Sequence, residues 1–246
     1  MMQSFLIALQ FLTRLPVRLD VQPDEKNIGR SLLFYPLIGL IIGSMLATLG
    51  WLLNHAPTLI VAAMIVATWV IVTGGLHLDG LADTADAWIG GMGNQEKTLA
   101  IMKDPACGPS GVTAILLIIL LKFTALHSLL TTNNWFALFL PVIISRTLLP
   151  VLFLTTPYAR INGLGFILSQ YQPKHMSIFV VATTAVLILL VTGLYGLWLL
   201  LATITLFLLL RYMMLQRIGG TTGDTAGAMV EITETAILLL AVLISM

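Results

Sequence analysis

Three aspartates, Asp79, Asp83 and Asp86, fall within the stretch "GGLHLDGLADTAD". Their i, i+4, i+7 spacing puts all three on one helical face, within an arc of about 60° and a length of about 10 Å. Like charges at i,i+4 repel, and no lysine or arginine lies within reach on the same helix. An external cation would relieve that face. An all-oxygen donor set favours Mg²⁺, Mn²⁺ or Ca²⁺ over zinc, and Mg²⁺ commonly completes its shell with water and substrate phosphate. The chemistry suggested is a divalent cation holding a diphosphate. The competing reading, a solvated helix end, fits poorly with a chain that has only eleven acidic residues among 246. His77, two residues before Asp79, points elsewhere on the helix and is expected to be buried and hydrogen-bonded.

Two further polar stretches could complete such a site. "KTLAIMKDPACGPSG" carries Lys103 and Asp104, then Pro105, Gly108, Pro109 and Gly111. These break the helix and allow backbone to approach a ligand, or simply form a loop into the next span. In "RIGGTTGDTAGAMVEITE", Gly219, Gly220, Gly223 and Gly227 surround Thr221, Thr222 and Asp224 just before an apolar helix. Free backbone N–H groups there would cradle an anion, although the Gly-Lys-Ser/Thr of a P-loop is missing. Glu231 and Glu234 enter the same helix, either as functional acids or as partners of its dipole. Lys122 and Arg146 lie well inside apolar runs. Lys122 must snorkel or pair; Arg146 should face the bundle interior and pair with an acid or contact a phosphate.

The elements that position these residues are membrane helices. The chain is 58% apolar and 9% charged, with a mean hydropathy of +1.00, against about 25% charged in soluble domains. The expected fold is all-α: a single integral membrane domain, residues 1–246, with about seven transmembrane helices after an N-terminal interfacial or bundle-packed helix at 3–14. The spans are expected near 32–53, 59–78, 110–130, 136–155, 176–193, 195–214 and 227–245. No strand alternation suggests a β-barrel. A net charge of +1 offers no nucleic-acid surface, and the lone Cys107 excludes an internal disulfide. Lysine and arginine alternate strictly between successive connections. Arg14, Arg18, Lys26, Arg30, Lys97, Lys103, Arg160, Lys174 and Arg217 all fall on one side, and "NHAPT", "TTNN" and "TGLYG" on the other carry none. The positive side is the cytoplasmic one, and Asp79, Asp83, Asp86, Asp104 and Asp224 share it.

Taken together, "GGLHLDGLADTADA", "IMKDPACGPSG" and "GGTTGDTAGAMVEITE" resemble the cobalamin synthase family, adenosylcobinamide-GDP ribazoletransferase. "FLTRLP", "FYPLIGLIIG", the "SR" at 145–146 and "YARINGLG" fit in the same order, so the resemblance spans essentially the whole chain. It implies a Mg²⁺-dependent transferase of a phosphate-linked group, multi-pass in the bacterial inner membrane. α-Ribazole or its 5′-phosphate displaces GMP from adenosylcobinamide-GDP, giving adenosylcobalamin or its 5′-phosphate. The implied partners are those substrates and the lipid bilayer, with a homo-oligomer or other cobalamin-assembly enzymes as further candidates. The acidic motif maps onto Asp79, Asp83 and Asp86, and the late "GxTGD" motif onto Gly220, Thr222, Gly223 and Asp224. The family pattern continues after the loop aspartate with serine, a basic residue and glycine; here Pro105-Ala106-Cys107-Gly108 follows Asp104. Ala87 also stands where glycine often follows the third aspartate.

On this reading Asp79 and Asp83 hold Mg²⁺, joined by Asp86 directly or through water. The general base is Asp224 or Asp104, with Asp86 third. Lys103, Arg160, Lys174 and Arg217, with Arg146 in reserve, supply positive charge to phosphates. A CDP-alcohol phosphotransferase is the nearest alternative, but its Asp-x-x-Asp-Gly-x-x-Ala-Arg signature fails around Asp79. A transporter would place acids near mid-membrane, whereas these cluster at one edge.

Overall fold

The computed structural model describes residues 1–19, 23–131 and 138–245. Twelve helices run through them: α1 (Met2–Leu12), α2 (Glu25–Ser31), α3 (Tyr35–Leu52), α4 (Thr58–Thr73), α5 (Leu76–Gly90), α6 (Gln95–Ile101), α7 (Pro109–Thr131), α8 (Leu140–Thr155), α9 (Leu164–Tyr171), α10 (Lys174–Thr192), α11 (Leu194–Ile218) and α12 (Gly223–Ser245). No named strand occurs among the described residues; one isolated parallel bridge pairs Tyr158 with Thr221. The all-α membrane reading holds. Among the described residues five helical stretches are long and apolar enough to cross a bilayer, and six if the bent pair α4–α5 counts as one span. α8 is apolar but has 16 residues; the first residues of the span expected at 136–155, and most of the "TTNN" turn, lie outside the described residues.

One expected span is corrected. The stretch 59–78 does not run straight through. Gly74 and Gly75 both take left-handed backbone, φ 64° and 68°, which non-glycine residues adopt only at a cost. The chain turns by 87° between α4 and α5. The aspartate helix therefore lies across the end of α4 instead of continuing it. α1 packs on the bundle through fully buried Ala8 and Leu12, and Ser4 donates to Asn27 of α2 at 3.0 Å.

α12 is the central element, packed against α5, α7, α8 and α11. Its pairing with α5 is close because Gly80 faces it. A Cβ on Gly80 would sit 2.7 Å from the Asp224 carbonyl oxygen, closer than real Cβ atoms approach backbone. On the other face of that contact Gly227 lies against His77. The two glycines bring the acidic helix and the start of α12 together at one end of the bundle.

Candidate active site

α5 buries Leu78, Leu81 and Ala82 and leaves Asp79 exposed, with Asp83 and Asp86 half-buried. Around its first turn opens a cavity of about 310 Å³, lined on its polar side by Asp79, Asp224, Arg160 and Asn162, and elsewhere by Phe11, Tyr35, Leu149, Phe153, Tyr158 and Leu168. Arg160 Nη2 lies 2.9 Å from Asp224 Oδ2, both side chains about one-fifth exposed. Thr222 Oγ1 donates to the same carboxylate oxygen at 3.4 Å.

The loop that carries Arg160 is held to the start of α12 by backbone. Thr221 N–H donates to the Pro157 carbonyl at 2.8 Å, and Ala159 N–H returns a bond to the Thr221 carbonyl at 2.8 Å. Gly220 is buried against Pro157, with no room for a side chain. Thr222 and Thr225 then form a reciprocal cap. The Thr225 amide donates to Thr222 Oγ1 at 3.2 Å, and the Thr222 amide to Thr225 Oγ1 at 2.9 Å. This is capping-box geometry with threonine in place of glutamate. It corrects the anion-cradle expectation for Thr222: its hydroxyl and amide serve the helix end, and both it and Thr225 are fully buried. Gly223 does line the cavity.

The three aspartates divide. Asp79 lines the cavity. Asp83, one turn on, is half-buried beside it. Burial, then Asp79, Asp224 and Asp86 in that order, push its carboxyl up to about 6, with Arg160 opposing. Asp86 faces α7 instead, accepting the Gly108 amide at 2.7 Å and the Gly111 amide at 2.9 Å. Among the described residues no three carboxylate, imidazole or thiol groups converge into a ready-made cage. The donor set still suits a hard cation that takes one or two carboxylates and fills its shell with water and phosphate oxygens.

Other sequence candidates fall outside the cavity. Asp104 is exposed and accepts the Ala106 amide at 3.0 Å. Lys103 and Lys174 are exposed and do not line it. Arg217 donates to the Trp88 carbonyl and lies 5.9 Å from that indole's centroid. Arg146 resolves the choice left open for it. It is fully buried, pairs with Glu234 and Ser145 Oγ, and its Nη2 stands 3.4 Å from His77 Nδ1. Of the two alternatives it takes the interior acid pair, and its place among the phosphate-binding charges falls away. Lys122 pairs with Glu231 at 2.7 Å and with Glu234, and sits 4.5 Å over the Trp69 ring. Two cations and two carboxylates thereby neutralise one another inside the bundle. Because the guanidinium only donates, His77 Nδ1 accepts and the ring is neutral, buried and hydrogen-bonded as expected.

The sequence reading missed Tyr35, Phe11, Phe153, Tyr158 and Asn162 as site residues. Tyr158 and Asn162 flank Arg160 in "YARINGLG", Phe11 opens "FLTRLP" and Tyr35 lies in "FYPLIGLIIG", stretches that offered a signal; Phe153 sits in an apolar helix that looks like ordinary core.

The family model for cobalamin-5-phosphate synthase matches residues 4–242. The adenosylcobinamide-GDP ribazoletransferase of Pseudomonas fluorescens is 51% identical over 238 residues, covering 97% of this chain and 98% of that protein. The proteins of that name from Pseudomonas paraeruginosa (51%, covering 97% of each chain) and Pseudomonas savastanoi pv. phaseolicola (47%, covering 97% and 98%) are similarly close. No solved structure matches. Matched over nearly its whole length by the family model and by these relatives, the chain belongs to the cobalamin-5-phosphate synthase family.

Proposed function

We propose that this chain is a Mg²⁺-dependent transferase that joins α-ribazole, or its 5′-phosphate, to adenosylcobinamide-GDP and releases GMP, at the cytoplasmic face of a bacterial inner membrane. The observation that carries this reading is the meeting of Asp79, Asp224 and Arg160 around one cavity, in a chain about half identical to proteins of that name. The lysine and arginine bias supports the cytoplasmic placement.

Asp79 and Asp83 would hold Mg²⁺; when bound, the ion supplies charge neutralisation to the diphosphate and the departing phosphate. Phosphoryl transfer otherwise depends on positioning and electrostatics. The ribose 3′-hydroxyl oxygen of the acceptor forms a bond to the phosphorus attached to cobinamide. The bond from that phosphorus to the GMP oxygen breaks, and GMP leaves with the electron pair. The hydroxyl proton passes to a carboxylate within hydrogen-bond reach. Asp224 takes that role here. It lines the cavity and is oriented by Arg160 and Thr222, whereas Asp86 is engaged with two amides and Asp104 lies outside.

The test is direct. Protein purified in nanodiscs and given adenosylcobinamide-GDP, α-ribazole and Mg²⁺ should release GMP and form the joined product. Absence of GMP with folded wild-type protein sinks the reading.

A further inference from the structure

We infer that the cavity beside Asp79 is the acceptor pocket, taking a nucleoside with an aromatic base, while the corrinoid nucleotide docks outside it along α5. This rests on the transferase reading above and assigns which of the two substrates the cavity serves.

Size comes first. At about 310 Å³ the cavity is at the lower end of small-ligand pockets. A nucleoside fills such a space; a corrin ring bearing a nucleotide is several-fold larger and could not enter. The lining is also graded. Phe11 stacks on Tyr35, with centroids 6.5 Å apart and planes at 27°, and Phe153 leans on Tyr158 at 6.2 Å and 40°. These two aromatic pairs come from α1, α3, α8 and the loop after α8. Aromatic walls suit the π-face of a base, and the Asp79 and Asp224 carboxylates suit donation from ribose hydroxyls. Charge points the same way. Two carboxylates face one guanidinium, and that guanidinium is already paired with Asp224. The surplus negative charge repels a diphosphate and tolerates the uncharged base and ribose hydroxyls of an acceptor. Asp83 does not line the cavity, so a diphosphate and its cation meet the acceptor at the mouth, between Asp79 and Asp83.

The experiment has two arms. In the first, each substrate is varied in turn for Phe153→Leu, Phe153→Ala and Phe11→Ala. The KM for α-ribazole should rise about 10-fold or more in the alanine variants, with the KM for adenosylcobinamide-GDP within about twofold. Phe153→Leu keeps most of the volume and guards against a folding defect. A rise confined to the corrinoid substrate, or equal for both, overturns the inference. The second arm needs no turnover. α-Ribazole alone is titrated calorimetrically into the metal-free wild type, which should bind it, more weakly in Phe153→Ala, with saturating GMP leaving the affinity unchanged. Displacement by GMP, or no binding while GMP release still proceeds, overturns the pocket assignment and leaves the transferase reading standing. Nucleoside binding without GMP release would do the reverse.

Discussion

The Arg160 guanidinium stands 2.9 Å from the Asp224 carboxylate, joining the loop after α8 to the first turn of α12. The pair lines the cavity beside the acidic helix, whose Gly80 packs on the Asp224 backbone, and it orients the carboxylate proposed to receive the acceptor's proton. Arg160→Ala should lower kcat about 10²-fold while the protein still inserts and melts normally. Arg160→Lys keeps the charge and loses the planar fork, so it should recover only part of the loss. Steady-state GMP release measures both; wild-type turnover in Arg160→Ala would remove the pair from the mechanism.

Asp79→Asn and Asp83→Asn should each cut turnover by about 10²-fold or more, the scale of losing one preorganised electrostatic group. EDTA should stop the wild-type reaction and Mg²⁺ should restore it. Full activity in either variant would overturn the cation assignment.

Asp86 is expected to behave differently from its neighbours. Its two amide contacts cap α7, so Asp86→Ala should cost stability of about 0.5–2 kcal/mol and lower the melting temperature. Its loss of activity should be smaller than that of Asp79→Asn. The comparison separates a structural cap from a metal ligand.

The buried ion group makes a double-substitution prediction. Removing Arg146 or Glu234 alone strands a charge inside the bundle, at about 3–5 kcal/mol. Arg146→Met with Glu234→Gln removes one of each sign and should be more stable than either single variant. Melting temperatures in one detergent test this as a cycle.

The acidic helix also predicts a pH dependence. The Asp83 carboxyl is pushed from 3.8 up to about 6 in the folded chain. Between those values the folded state holds a proton that the unfolded state has released. Metal-free stability should therefore fall as pH rises from about 4 to about 6 and level off above. Mg²⁺ added at pH 7 should raise the melting temperature, by neutralising the same charges. A flat metal-free profile would contradict the crowding of Asp83.

How much of this was legible in the sequence can be judged residue by residue. Composition and apolar run length determine a helical membrane protein, because each span satisfies its own backbone hydrogen bonds locally. The i, i+4, i+7 spacing determines that Asp79, Asp83 and Asp86 share one helix, and Asp224 adjoins the start of α12 through the same local rules. What the aspartates do on that shared helix was decided by packing. Gly74 and Gly75 turn α5 by 87°; Gly108 and Gly111, just before and inside the start of α7, then claim Asp86, and Gly80 brings Asp79 beside Asp224. Arg146 falls inside an apolar run and Arg160 in a polar connection, but the sequence leaves the partner of each open. One meets Glu234 inside the bundle and the other meets Asp224 at the cavity. Periodicity reports only which face a residue occupies; which charge lies opposite depends on helix neighbours far away in sequence. For the same reason Phe153 looks like plain core, and the stretches holding Phe11 and Tyr35 show no shared site, until three helices and a loop come together around a cavity.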